Sequence, residues 1–360
     1  MRTGILPDRD IAALFQSGAL TTGRPLDTDQ IQPASLDLRL GAKAYRVRAS
    51  FLPGQASTVE AKLDRLKLHE IDLSAGAVLE TGCVYIVPLL EALALPSEIA
   101  ASANPKSSTG RLDIFTRVMT DHGQEFDKIP AGYRGPLYLE VSPRTFPIVV
   151  RTGSRLSQIR FRTGSAMLDG AALLDLHERE TLVASEQPNI SGNGIALSID
   201  LKGTGGGVIG YRGKHHTGVV DVDKRAAQDA ADFWEPLTDR GQGELILDPD
   251  EFYILVSREA VHVPPDFAAE MTPFDPLVGE FRVHYAGFFD PGFGHSQAGG
   301  TGSRAVLEVR SHEVPFILEH GQIVGRLVYE HMQDRPDALY GADLQSNYQA
   351  QGLKLSKHFR

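Results

Sequence analysis

A chain of 360 residues, 42% hydrophobic and 23% charged, suits two domains of ordinary size, each able to bury its own core. A net charge of −10 without a basic tract excludes polymeric nucleic acid as an expected partner, yet leaves small phosphorylated ligands open, since a few local cations suffice for them. The single Cys83 excludes an internal disulfide and a multi-cysteine metal site, and with no bilayer-length apolar run and no signal-peptide core the chain is expected in the cytoplasm, off the membrane.

In chain order, Pro7-Asp8-Arg9-Asp10 before IAALFQSG predicts a helix starting at Asp8 or Asp10, with Ile11, Leu14 and Phe15 on one face and Gly18 at its end. Residues 31–40 (IQPASLDLRL) alternate as a strand, with Leu36, Leu38 and Leu40 inward, Ser35, Asp37 and Arg39 outward, and Gly41 closing it. Residues 59–70 suit a short charged helix. From Glu80 short β runs dominate, at 82–88, through Ile99 and at 112–119, with a polar turn, NPKSSTGR, over 104–111. Gly132 and Gly135 bracket a turn before a strand in which Leu137, Leu139 and Val141 alternate with Tyr138, Glu140 and Ser142, and which Pro143 ends. Glu140 is therefore expected on the solvent side of a half-buried strand. The glycines of 192–213 read as a flexible hairpin, because a dinucleotide-binding GxGxxG would need a helix and a βαβ unit around it. Residues 226–234 suit a short helix and 294–303 a low-complexity loop. Many short strands with few helices imply a mainly all-β barrel or sandwich.

The chain repeats itself at one offset of 168 residues. Leu139-Glu140-Val141 reappears as Leu307-Glu308-Val309, Pro147 as Pro315 and Gly153 as Gly321; upstream, Tyr85, Ile86, Glu91, Pro96 and Pro105 match Tyr253, Ile254, Glu259, Pro264 and Pro273. A constant register over this length implies a tandem duplication into two homologous domains, since solenoid units are far shorter. The boundaries expected are 1–165 for the first domain, 166–194 for a linker and 195–360 for a second, diverged domain.

Two features carry chemistry. The run Lys106-Ser107-Ser108-Thr109-Gly110-Arg111 packs hydroxyls and cations onto a turn, the converging donors that phosphate oxygens require, although such a turn is also an ordinary solvated loop. The second copy reads Phe274-Asp275-Pro276-Leu277-Val278-Gly279, so the donors are lost while the framework persists, which favours a ligand. Glu140 has two readings, a general base or a structural partner of an arginine such as Arg39 or Arg134. The twelve histidines include no zinc-deaminase constellation, and no G-x-S-x-G elbow occurs.

The segments LPDRDIAALFQSGAL, IQPASLDLRLG, SSTGR, GYRGPLYLEV and GSRLSQIRF, with NYQAQG and Ser356-Lys357 near the end, resemble dCTP deaminases of the trimeric dUTPase-like superfamily, in their long tandem bacterial form. The resemblance implies two distorted β-barrel or jelly-roll domains and zinc-independent hydrolysis of dCTP to dUTP and ammonia. It implies Lys106, Ser107, Ser108 and Arg111 on the triphosphate, Glu140 activating water for attack on cytosine C4, and Tyr348 and Gln351 closing over the nucleotide. Mg²⁺ would arrive on the phosphates with no protein ligand, dTTP would act as an inhibitor, and the assembly would be a homo-oligomer, a trimer or a pseudo-hexamer. In such trimers sites form between subunits, so Asp290 or Glu308 of the second copy are further candidates. A bifunctional enzyme that also releases pyrophosphate would need a carboxylate to position a second water, for which Asp113 or Asp121 would serve; a non-catalytic nucleotide sensor is a third reading. Pro130-Ala131-Gly132 replaces the family's Asp-Pro-Gly and Asn347 its lysine.

Overall fold

In the first half of the chain the alternating segments pair into two main sheets that enclose a core. The structure is a computed structural model that describes residues 3–185, 188–203, 207–239, 241–273, 281–284, 287–298, 301–311, 313–341 and 352–360. The chain divides into two compact units. The first comprises residues 1–165 with two returning segments, 216–229 and 356–360; the second comprises 166–215 with 230–355.

One sheet of the first unit runs Lys128–Ile129, Ile99–Pro105, Arg155–Thr163, Ser35–Arg39, Ile31–Gln32. The other runs Ile114–Thr120, Arg134–Pro143, Val84–Ala94, Lys43–Val47, Lys67–Asp72. A small third sheet places Ile148–Val150 between Ala77–Leu79 and Val220–Asp221, the latter strand coming from the first returning segment. Leu36, Leu38, Leu137, Leu139 and Val141 fill the core, as their alternation predicts. The turn before Arg134–Pro143 needs Gly132, whose φ of +74° is left-handed and costs a glycine nothing.

Several local expectations are corrected. The polar faces of the Ser35–Arg39 and Arg134–Pro143 strands are not solvent-facing: Asp37, Arg39 and Glu140 are all buried. Over Glu140's face lies the helix Val59–Leu66, followed directly by the strand Lys67–Asp72, where one helix was expected over 59–70. Thr58 caps that helix by accepting the Ala61 N–H at 3.2 Å. Its Val59 and Leu63 join Val47, Ile86, Met119 and Tyr138 in a second apolar cluster. Each such burial stabilises by about 1.5–3 kcal/mol. The polar run 104–111 ends a strand and turns through a short helix, Ser107–Gly110.

The second unit repeats the plan. Gly194–Ser198 pairs with Ile323–His331 as Ser35–Arg39 pairs with Arg155–Thr163, and Tyr253–Val261 pairs with Ser303–Ser311 as Val84–Ala94 pairs with Arg134–Pro143. Even a detail recurs: the Tyr85 hydroxyl accepts the Glu80 N–H at 3.0 Å, and the Tyr253 hydroxyl accepts the Asp248 N–H at the same distance. Gly194–Ser198 and Val208–Gly213 lie in different sheets, so 192–213 is not a hairpin. Nor does 166–194 behave as a linker: it forms the helix Gly170–Arg179 and buries Leu168, Leu173, Leu176, Leu182 and Val183 in the second unit's core.

Candidate functional site

Glu140 lies in a row that crosses four strands of the first unit, Tyr45, Ile86, Glu140, Arg117. Side chains at paired positions share a face, so Arg117 meets Glu140 directly. Its Nε and Nη2 both donate to Glu140 Oε1, at 3.0 and 2.6 Å. The other carboxylate oxygen, Oε2, is buried without a hydrogen-bond partner among the described residues. An acceptor left open in this way normally costs free energy, which marks it as a place for a ligand or water. The structural partner considered from the sequence was Arg39 or Arg134; Arg39 instead holds Glu91, at 2.9 Å.

Asp127 stands beside this pair. Its Oδ1 accepts the Val118 N–H at 2.7 Å. Burial pushes its carboxyl up to about 7, against the Val118 N–H and the charges of Arg117 and Lys128, with Glu140's charge adding to the rise. Two carboxylates and one guanidinium thus share a corner in which Glu140 is buried and Arg117 and Asp127 are half-buried.

The predicted phosphate turn is built on the other sheet. Lys106 directly follows the strand Ile99–Pro105, and its ammonium pairs with Asp37, which is 1% exposed. Arg155 reaches the same Asp37 oxygen at 3.5 Å and also holds Asp27 at 2.5 Å and Asp29 at 2.8 Å. Ser107 and Ser108 open the short helix, and Arg111, just beyond it, is buried. Against this turn docks the end of the chain. Ser356 Oγ donates to the Ser108 carbonyl at 2.9 Å, and the Lys357 carbonyl accepts the Ala226 N–H at 3.0 Å. His358 is buried with Nε2 2.9 Å from the Val222 carbonyl. Lys357 is driven down to about 8 by burial and by the neighbouring charges of Lys106 and Arg225. An ammonium whose charge is disfavoured by partial burial and by neighbouring cations, with Asp37 acting the other way, is one that an anion would stabilise.

About 10 Å of strand, three residues, separates Ile114, where the turn's exit strand begins, from Arg117 in the Glu140 row. The turn and the carboxylate are therefore distinct groups on one frame. Asp113 takes a hydrogen bond from Thr145 at 2.5 Å, and Asp121 accepts the Val59 N–H at 2.8 Å at the start of the covering helix. Asp290 and Glu308 are both buried in the second unit, where Glu308 occupies the matching row Tyr211, Ile254, Glu308, His284. Tyr348 and Gln351 lie outside the described residues. Sequence reasoning missed Arg117, Asp127, Asp37, Arg155 and the returning segments. Asp37 and Arg155 sit in motifs already singled out, so burial of their strands was the one signal lacking; Arg117 and Asp127 carry no signal until strand register is known.

Among the described residues no helix is long and apolar enough to cross a membrane. Two family models cover nearly the whole chain. The 2′-deoxycytidine 5′-triphosphate deaminase N-terminal domain matches residues 2–165, and the C-terminal domain of the same name matches 169–359. A protein of Acidothermus cellulolyticus named "dCTP deaminase, dUMP-forming" is 32% identical over 163 residues, 45% of this chain and 81% of that protein. One of the same name from Methanothermobacter thermautotrophicus is 31% identical over 166 residues, 44% of this chain and 79% of that one. The crystal structure of 2′-deoxycytidine 5′-triphosphate deaminase from Agrobacterium tumefaciens superposes with a TM-score of 0.89 at 77% identity, covering 92% of this chain and all of that one.

Proposed function

The chain belongs to the 2′-deoxycytidine 5′-triphosphate deaminase family, and we propose that its first unit hydrolyses dCTP to dUTP and ammonia with Glu140 as general base. The observation that carries this reading is the buried Glu140 carboxylate, clamped through Oε1 and open at Oε2. A water at Oε2 gives up one proton to the carboxylate as its oxygen bonds to C4 of the cytosine. The carboxylate returns that proton to the amino group, which departs as ammonia. The hydroxyl proton left on C4 passes to N3, and the product is the uracil ring. One group serves as base and then as acid, so no second titratable side chain is required.

Lys106, Ser107, Ser108 and Arg111 take the triphosphate in this reading. Mg²⁺, a hard cation that keeps oxygen ligands, would sit on the substrate's phosphate oxygens and neutralise their charge. Independence from zinc rests on the sequence, which has one cysteine and no deaminase zinc motif. A homo-oligomer, trimeric or pseudo-hexameric, is part of this reading because the family resemblance implies it.

A second reading is favoured by the relatives' printed names, which end in "dUMP-forming". It requires a further water directed at the α-phosphate. Both carboxylates considered for that task, Asp113 and Asp121, are engaged in hydrogen bonds within the fold. Incubation of the chain with Mg²⁺ and dCTP, followed by anion-exchange separation, decides between the two. dUTP with ammonia is expected; dUMP with pyrophosphate from the first turnovers establishes the second reading. Glu140→Gln should lower kcat by about 10²–10⁴-fold, and full activity in that variant removes Glu140 from the chemistry.

A further inference from the structure

The guanidinium beside Glu140 is held more firmly than an ordinary surface arginine. Its carbon lies 3.6 Å from the centre of the Phe126 ring and 4.8 Å from that of Phe115. Its Nη2 also donates to Ser50 Oγ at 2.7 Å. Such ring contacts stabilise a cation while leaving its N–H groups to donate in the plane of the guanidinium. Both N–H groups directed at the carboxylate converge on Oε1 alone, at 3.0 and 2.6 Å. A side-by-side pairing would have occupied both oxygens, as arginine and carboxylate commonly do. The one-sided grip fixes the carboxylate plane and keeps Oε2 open.

From this geometry we infer that Arg117 is a positioning residue for the deamination: it orients Glu140 through Oε1 so that Oε2 alone meets the water. The inference rests on the reading of Glu140 as general base. Arg117 acts through Glu140 in this reading, and belongs to no motif that carried the family resemblance. Its place in the row is set by register, opposite Glu140 on the neighbouring strand. In the second copy the residue in that register is His284, opposite Glu308. The rest of the row, Tyr and Ile with the glutamate, is the same in both copies. Loss of the arginine thus accompanies loss of the phosphate-binding residues in the second copy, while the framework of the row stays.

The charged and titratable groups around Glu140 are few. Arg117 faces it from the paired strand, and Asp127, with Lys128 next to it, from the loop behind. Tyr138 flanks it on its own strand, Tyr45 stands two strands away in the row, and Glu60 and Asp121 lie on the covering side beside Tyr138. Arg117 is the one cation that hydrogen-bonds Glu140 in the described structure.

The test is steady-state kinetics from pH 5 to 9 on the full chain and its Arg117→Met, Arg117→Lys and Glu140→Gln variants, with thermal unfolding of each. Arg117→Met should lower kcat about 100-fold, the scale of a misplaced catalytic group, with KM for dCTP nearly unchanged. Arg117→Lys restores the charge without the forked pair of N–H groups, so kcat should recover only to about tenfold below wild type. A merely structural arginine would lower the unfolding temperature and leave the kcat of the folded enzyme in place. Wild-type kcat in Arg117→Lys, or in a folded Arg117→Met, overturns the inference while an inactive Glu140→Gln leaves the reading of Glu140 intact. An active Glu140→Gln overturns that reading itself, and the inference with it.

Discussion

Asp127 illustrates how a single side chain takes its chemistry from its surroundings. Burial raises its carboxyl from 3.8 to about 7, so the folded chain holds that proton across a range in which the unfolded chain has released it. Between those two values the folded state binds more protons than the unfolded one. Its contribution to stability is therefore greatest below pH 3.8 and declines as pH rises toward 7. Asp127→Asn keeps an acceptor for the Val118 N–H and removes the titration. Its urea midpoint should change less than the wild type's between pH 4.5 and 7.5; parallel curves would mean that Asp127 ionises normally in the folded chain. At this scale the sequence revealed residue types but not partners. Glu140 was legible as an unusual carboxylate on a strand. Arg117, 23 positions away, became its partner only through strand register.

At the scale of elements, periodicity located the strands and misjudged their faces. Alternation in 134–143 indicates one apolar face correctly, yet the polar face is buried as well, because the helix Val59–Leu66 and its cluster cover it. The same holds for Ser35–Arg39, where Asp37 was expected outward and instead anchors Lys106. Polar residues on a covered face are a site signature that no single strand displays. The element with most consequence is the chain's end, Ser356–Arg360, folded onto the first unit. It delivers Lys357 beside the Ser107–Gly110 turn, with Lys106 and Arg225 near enough to depress its ionisation. Lys357→Met should raise KM for dCTP about tenfold, the worth of one charge-assisted hydrogen bond, with a smaller effect on kcat. Because Lys357 loses its proton near pH 8, wild-type KM should climb above that pH and the variant's should not. Identical KM profiles would take Lys357 out of triphosphate binding.

At the scale of the whole molecule, the duplication is written in both sequence and structure, but the two copies are not independent of each other's sequence. The first unit borrows 216–229 and 356–360. Val220–Asp221 adds a strand to Ile148–Val150, and Asp221 holds Arg151 through two oxygens at 2.7 and 2.8 Å. A fragment of residues 1–165 would expose that strand edge and strip the covering from the phosphate turn. It should unfold at lower temperature than the full chain or aggregate; a fragment as stable as the full chain in calorimetry would show the borrowed segments to be dispensable.

The sequence by itself determined the strand content, the duplication with its constant offset, and the family, because each rests on local composition or on order along the chain. Only the tertiary structure decided which faces are buried, that Arg117 clamps Glu140 through one oxygen, and that distant segments return to complete the first unit. Those features depend on strand register and on long-range chain return. Both follow from the total free energy of packing, and neither leaves a periodic mark in the residues involved.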